Sequence, residues 1–449
     1  MGAQSQSISA VQLLFPMGKQ LAQRIFLETL AAIDVRHAML SKLKCQGQVL
    51  QAGDIQLPLS RPPRVIAFGK AACRMAAVLG EILSGQVESG LAVGPAEPAK
   101  RLPRFRYFVG GHPDPNADSF AAADAALALV SGLSADDTVI FLASGGGSAL
   151  FEKPLDPAIT LGEFLQFNRV LVRCGLPIEQ INVLRKHLSA IKGGRLAVRA
   201  YPARQLTIYI SDVPDHLPSM IASGPTLPDE STAEQACTIA AQHQLATKFP
   251  PRIRERFDQG QLEETPKPGD EHFAHSSYLC LLSNRDAVEA ARVAAEKLGF
   301  ISEIDRNVWD IDYQELARAN LASLEALARA HPGQPVCLIA GGEVTCPVTG
   351  PGLGGRNQAF VLFAAQLIAG QKRVVMSAGT DGRDGNSPTS GAVADGQTVS
   401  RAQALGLDPK RYLDESDSYS FFRSLGDTVD IGFTDNNVRD VRIWLDFGM

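Results

Sequence analysis

No apolar run in this sequence approaches the ~18 residues needed to cross a bilayer. The opening stretch MGAQSQSISAVQLLFPMGKQ lacks the basic start and long apolar core of an export signal. No membrane partner is therefore expected, and the cytoplasm is the expected compartment. Cysteine is scarce and scattered: the seven, Cys45, Cys73, Cys174, Cys237, Cys280, Cys337 and Cys346, form no CxxC pair. An odd count without pairing argues against a disulfide framework and suits a reducing environment. There is no basic stripe interleaved with aromatics. With 43 Lys and Arg against 48 Asp and Glu, the net charge of −5 favours neither nucleic acid nor an acidic membrane as a partner, and none is expected.

Three familiar signatures are missing as well. No HExxH frame exists, so His272 and His275 read as surface residues of a polar stretch, not as metal ligands. No Walker A loop exists either, because Lys70 is followed by Ala71 and has no matching upstream glycine. GPGLGG, Gly350 to Gly355, fits GxGxxG only in its letters. Residues 343–349 separate it from its strand and Pro351 lies inside it, so as a dinucleotide fingerprint it is weak.

What is present is a repeated strand–loop–helix rhythm. The 449 residues, 45% hydrophobic and 20% charged, suggest two soluble globular domains. RVIAF, residues 64–68, reads as a buried strand running into Gly69, Lys70 and an Ala-rich helix. TVIFLA leads into Ser144, Gly145, Gly146, Gly147 and Ser148, and QLTIYI leads into a long Pro-rich loop, residues 211–229. A polar, Pro-containing stretch at 249–275 reads as the domain boundary, after which SYLCLLSN restarts the rhythm. The expected fold is α/β with two domains, residues 1–260 and 270–449, each a mostly parallel sheet flanked by helices. Residues 7–43 read as helix that Pro16 should break or kink, and 47–63 as a polar connection. After Gly391 one helix (395–405) and a terminal strand are expected.

In open parallel sheets, ligands sit beyond the carboxyl ends of the strands. Those positions hold Lys70, the loop from Ser144 to Ser148, Ser211 and Asp212, Asn284, Glu343, and Thr380, Asp381 and Asp384. Three adjacent glycines can bring backbone N–H groups against an anion with no Cβ in the way. Carboxylates can hold magnesium, and a lysine can meet a phosphate; phosphoryl transfer needs these parts together. Arg185, Lys186, Lys192 and Arg195 add a cationic cluster, and Arg185, Ser189 and Lys192 fall near one helical face. Arg356 and Asn357 open a helix after the glycine loop. His112, after Gly110 and Gly111, borders the same region, whereas His187 reads as a packing or capping residue.

Together GKAACRMA, GGHPDPNADS, FLASGGGSAL, INVLRKHLSAIKGGRLA, SDVPDHLPSMIASGPTLPD, GGEVTCPVTGPGLGGRNQAF and SAGTDGRDG resemble the class II glycerate kinases, the glycerate 2-kinase family with a C-terminal MOFRL domain. The resemblance runs nearly the whole chain in order. It implies a Rossmann-like N-terminal domain, a smaller α/β C-terminal one, and an active site in the cleft between them. It also implies ATP- and Mg2+-dependent phosphorylation of D-glycerate at C2 to 2-phosphoglycerate. Similar sequences carry the name hydroxypyruvate reductase, which makes an NAD(P)H-dependent reductase the alternative; a non-catalytic sugar-acid binder is a third class.

Carried over by motif, Lys70, Asp212 and Arg356 are the expected catalytic residues. Ser144 to Ser148, Arg185, Lys192, Asn284, Glu343, Asn357 and Asp381 are expected to bind substrate or phosphate. Magnesium is expected at Asp212 and Asp381, with Glu343 and Asp384 as other candidates. The family's closing glycine-rich segment, usually TGPTGTNV, stands here as IGFTDNNV, residues 431–438. A monomer or homodimer with small-molecule substrates is expected.

Overall fold

The structure is a computed structural model that describes residues 10–214, 217–305 and 311–448. Ser7, Asp215 and His216 lie outside the described residues. The chain divides into two compact units. One is Val35–Leu282; the other joins Ser283–Met449 to the N-terminal segment ending at Asp34.

In the first unit, β1 (Leu43–Gln46), β2 (Val49–Ala52) and β3 (Ile55–Pro58) make a small antiparallel sheet. The expected connection at 47–63 is thus corrected. Leu50, Ala52 and Leu57 alternate inward while Val49, Gln51 and Gln56 face out, a period of two that polar composition conceals. The main sheet follows: β4 (Arg64–Phe68), β5 (Ser89–Gly94), β6 (Phe105–Val109), β7 (Thr138–Ala143), β8 (Arg204–Ile210) and β9 (Ser276–Leu282). All its neighbours are parallel, in the order β6-β5-β4-β7-β8-β9. β7 is buried at every residue, as a strand covered on both faces must be. The winding reverses between β4 and β7, and a doubly wound sheet opens a crevice at that point.

β9 was expected to start the second half; instead it completes the first sheet beside β8. The polar stretch before it is no linker. Its Ile253 and Phe257 enter a core cluster with Phe164, Phe167 and Phe249, so apolar anchors spaced among charges hold it to the unit.

The second unit contains β10 (Ile301–Asp305), β11 (Val336–Gly342), β12 (Arg373–Gly379), β13 (Gly391–Asp395), β14 (Thr428–Val429) and β15 (Asp440–Asp446). Their order is β10-β11-β15-β12-β13-β14. The α/β class is as expected, but this sheet is not mostly parallel. Only β10 and β11 pair in parallel, and β15 inserts antiparallel between β11 and β12. A strand buried on both faces reads as the same apolar run in either direction, so its sense is not legible in composition.

The N-terminal helix Ala10–Ala32 runs on past Pro16 and packs on this sheet. Gly18 allows the approach: a Cβ there would lie 2.9 Å from Val374 Cγ2. Lys19 pairs with Asp427 at 2.8 Å and Asp395 at 3.3 Å. After β13 come three helices, Thr398–Ala404, Pro409–Asp414 and Ser418–Leu425, where one was expected. All three are short, and the third packs Phe421 and Phe422 into the core. Among the described residues no helix is long and apolar enough to cross a membrane.

Candidate functional site

At the switch point of the first sheet, the turns after β4 and β7 interlock. Lys70 N donates to Gly145 O at 2.9 Å, Ala71 N to Ser144 Oγ at 3.0 Å, and Ser144 N to Phe68 O at 3.1 Å. Gly69 sits at φ 113° with Ser144 O 2.3 Å from where a Cβ would be, so only glycine fits. Successive glycines then face successive functional groups. A Cβ on Gly145 would lie 2.2 Å from Asp212 Oδ2. One on Gly146, itself left-handed at φ 80°, would lie 3.2 Å from Lys70 Cγ and 3.3 Å from His112 Cδ2. Gly147 faces Ala222. The structure therefore gathers Lys70, Asp212 and His112 around the Ser144–Ser148 loop.

Ser148 is latched, not loose. Ser223 Oγ donates to Asn182 Oδ1 at 2.9 Å, which leaves Ser148 Oγ to donate to Ser223 Oγ at 2.9 Å. Ala222 and Ser223 are held at φ 50° and 60°, a conformation that costs non-glycine residues energy and tends to cluster at functional sites.

Arg185, Ser189 and Lys192 do not share a helical face, because the helix Ile178–Leu188 ends before Ser189. Lys192 turns inward and is completely buried. Its ammonium donates to Ser148 O (2.9 Å), Phe151 O (3.2 Å) and Glu152 Oε2 (2.5 Å), and Ser189 Oγ donates to Glu152 Oε1 at 2.5 Å. All three N–H bonds are thus used beneath the loop. Burial pulls its pKa down while Glu152 opposes the shift. Arg185 donates to Asn168 Oδ1 at 2.8 Å, its pKa lowered by burial against the pull of Glu152. Lys192 thus underpins the loop rather than pointing into open space as a phosphate ligand would, while Arg185 is tied to Asn168.

In the second unit the residues converge on one strand end. β15 pairs its first residue, Asp440, with both Gly342 and Gly379, the last residues of β11 and β12. Arg356, opening the helix Arg356–Leu367, donates from Nε to Asp440 Oδ2 at 2.6 Å and from Nη2 to Asp440 Oδ1 at 3.0 Å. It also pairs with Glu343 at 2.9 Å. Burial works against the Arg356 charge, but Asp440 and Glu343 outweigh it and hold the pKa above the ordinary value. The same arginine, with Arg442, depresses Asp440 although burial pushes the other way. Asp381 Oδ1 and Asp440 Oδ1 flank Gly379, at 3.3 and 3.4 Å from where its Cβ would be. Arg356 also lines a groove of about 810 Å³ with Tyr313, Phe363 and Tyr412.

Asn284 and Asn357 serve the scaffold. Asn284 donates to Val438 O and Asp440 O and accepts from Gly342 N, which binds β11 to β15. Asn357 is fully buried, donating to Asp384 Oδ1 and accepting from Ser377. Asp384 caps this helix from outside by accepting the amides of Asn357 (3.0 Å) and Gln358 (2.8 Å). Burial raises its pKa to about 7 despite those two donors.

Residues 21–258 match the model of DUF4147, a domain of unknown function, and residues 336–440 match the MOFRL family. A D-glycerate 2-kinase of Thermotoga maritima is 37% identical over 388 residues, 85% of this chain and 90% of the relative. The chain belongs to the glycerate 2-kinase family. The crystal structure of a Thermotoga maritima glycerate kinase superposes with a TM-score of 0.81 at 32% identity, covering 95% of this chain and 99% of the other. A family relative from Agrobacterium vitis, 35% identical over 94% of this chain and 93% of its own, carries hydroxypyruvate reductase as a provisional name.

Sequence reasoning overlooked Asp440 and Ser223. Asp440 begins an antiparallel strand, so a search of residues that follow strands passes over it. Ser223 lies within a loop whose backbone turns no pattern announces.

Proposed function

We propose that this chain transfers the terminal phosphoryl group of ATP to the C2 hydroxyl of D-glycerate, giving 2-phosphoglycerate and ADP. The observation that carries the reading is the interlocked glycine loop at the switch point, with Lys70 and Asp212 set against adjacent glycines. Its backbone can approach phosphate oxygens closely, and the Lys70 ammonium can meet the charge that moves in transfer. Arg356, paired but one-third exposed, has donors left for the carboxylate of a sugar acid or for a phosphoryl oxygen.

Among the described residues no group of three or more His, Cys, Asp and Glu side chains forms a metal cage. Magnesium in such enzymes commonly rests on one or two carboxylates plus the phosphates themselves. Asp212, beside the loop, fits that task, and Asp381 remains a candidate. The bound ion would neutralise phosphate charge.

The reductase reading asks the loop 350–355 and the following helix to hold a pyrophosphate. Asp384 already takes the amides of Asn357 and Gln358 that such a ligand needs. The discriminating experiment supplies D-glycerate, ATP and Mg2+ in one cuvette and hydroxypyruvate with NADH in another. ADP release in the first supports the kinase; NADH loss in the second without ADP formation in the first overturns it.

A further inference from the structure

The segment after β6 crosses toward the glycine loop. A Cβ on Gly110 would lie 2.4 Å from Leu150 O, so Gly110 lets the chain press on the short helix that follows the loop. Gly111 N then donates to Ser119 Oγ at 3.0 Å, fixing the turn. This delivers the His112 imidazole to Gly146, where Cδ2 and Nε2 lie 3.3 and 3.4 Å from the position of a Cβ, alongside the Lys70 stem. The side that faces the loop is shielded while the residue as a whole reaches solvent. Shielding and then the Lys70 charge hold its pKa below the ordinary histidine value. An imidazole kept neutral at pH 7 retains one nitrogen able to accept a proton.

We propose that His112 contacts the acceptor alcohol and takes up its hydroxyl proton during phosphoryl transfer. The proposal rests on the kinase reading above. The O–H bond breaks and its proton passes to the free imidazole nitrogen. The alcohol oxygen forms a bond to the terminal phosphorus, and the bond from that phosphorus to its bridging oxygen breaks, the electron pair leaving with ADP. Lys70 lies on the same side of Gly146. Asp212 lies against the neighbouring Gly145, where its charge suits a cation or an orienting hydrogen bond. The other nearby carboxylate, Asp114, is engaged by Asn168 and Arg169. Among the described residues, the charged groups facing His112 are Lys70 and, one glycine away, Asp212.

The test compares wild type with His112→Gln and His112→Asn, following kcat and KM across pH together with Tm. Both variants keep a hydrogen-bonding side chain but cannot take a proton at neutral pH. The expected result is a loss of kcat of ~10²-fold or more, little change in KM for ATP, unchanged Tm, and disappearance of the acidic limb of the kcat profile. That limb should lie below the ordinary histidine range in wild type. A uniform fall with the limb intact, or a kcat within about threefold of wild type, overturns the assignment. Wild type that releases no ADP with D-glycerate would defeat the kinase reading itself, an outcome separate from wild type active and variants unaffected.

Discussion

Asp440 grips Arg356 with both carboxylate oxygens, Oδ2 at 2.6 Å from Nε and Oδ1 at 3.0 Å from Nη2. The carboxylate is fully buried and the arginine one-third exposed, so the fork is aimed by its hidden end. Removing one charge from a buried pair leaves the other uncompensated. Asp440→Asn should lower stability by about 3 kcal/mol and cut kcat/KM on the order of 10- to 100-fold by loosening Arg356. Urea unfolding and steady-state kinetics check both. Unchanged kinetics in a destabilised variant would remove Arg356 aiming from the account.

Lys192 separates a structural cation from a phosphate ligand. Its three donors are used by Ser148 O, Phe151 O and Glu152. Lys192→Met should cost about 3–5 kcal/mol, and adding Glu152→Leu should return part of that loss. Denaturant midpoints of the two single variants and the double variant measure the coupling. A stable Lys192→Met protein with a raised KM for ATP would instead favour direct phosphate binding.

Gly145 has no positive φ, so alanine is acceptable to its backbone. The added Cβ would lie 2.2 Å from Asp212 Oδ2, and the side chain must swing away. Gly145→Ala should fold normally and lose kcat on the order of 10-fold or more, because displacing a reactive group by an ångström is costly. Circular dichroism and turnover test this; full activity would mean that the position of Asp212 is unimportant.

Much of this arrangement is legible in order along the chain. Lys70, the Ser144–Ser148 loop and Asp212 follow parallel strands, and the rule that ligands lie beyond strand ends finds them. The same rule fails where topology departs from it. β15 runs antiparallel, so Asp440 reaches the carboxyl ends of β11 and β12 from the start of a strand. Charge alone also misleads: Lys192 and Arg185 read as anion ligands, yet Glu152 and Asn168 hold them. Asn284 and Asn357 sit at the expected strand end and helix start, but their amides are spent on the scaffold.

Asp384 carries a pH signature. Its pKa rises from 3.8 to about 7 on folding, so between these values the folded state holds a proton that the unfolded chain has released. Its contribution is therefore full below about pH 4 and is lost as pH rises toward 7. Groups such as Asp440, depressed by Arg356, slope the opposite way. The difference between wild type and Asp384→Asn isolates the term: wild type should lose stability relative to the variant from pH 4 to 7. Parallel stability curves across that range would contradict it.

The most direct measurement is of the product. The purified chain, D-glycerate, ATP and Mg2+ are coupled to enolase, pyruvate kinase and lactate dehydrogenase, with phosphoglycerate mutase left out. ADP alone cannot report through pyruvate kinase unless enolase supplies phosphoenolpyruvate, which requires the phosphoryl group on C2. The account predicts NADH oxidation that depends on both D-glycerate and ATP, reduced ~10²-fold or more in a folded Lys70→Ala variant. A signal that appears only after mutase is added would place the phosphoryl group on C3 and contradict the account.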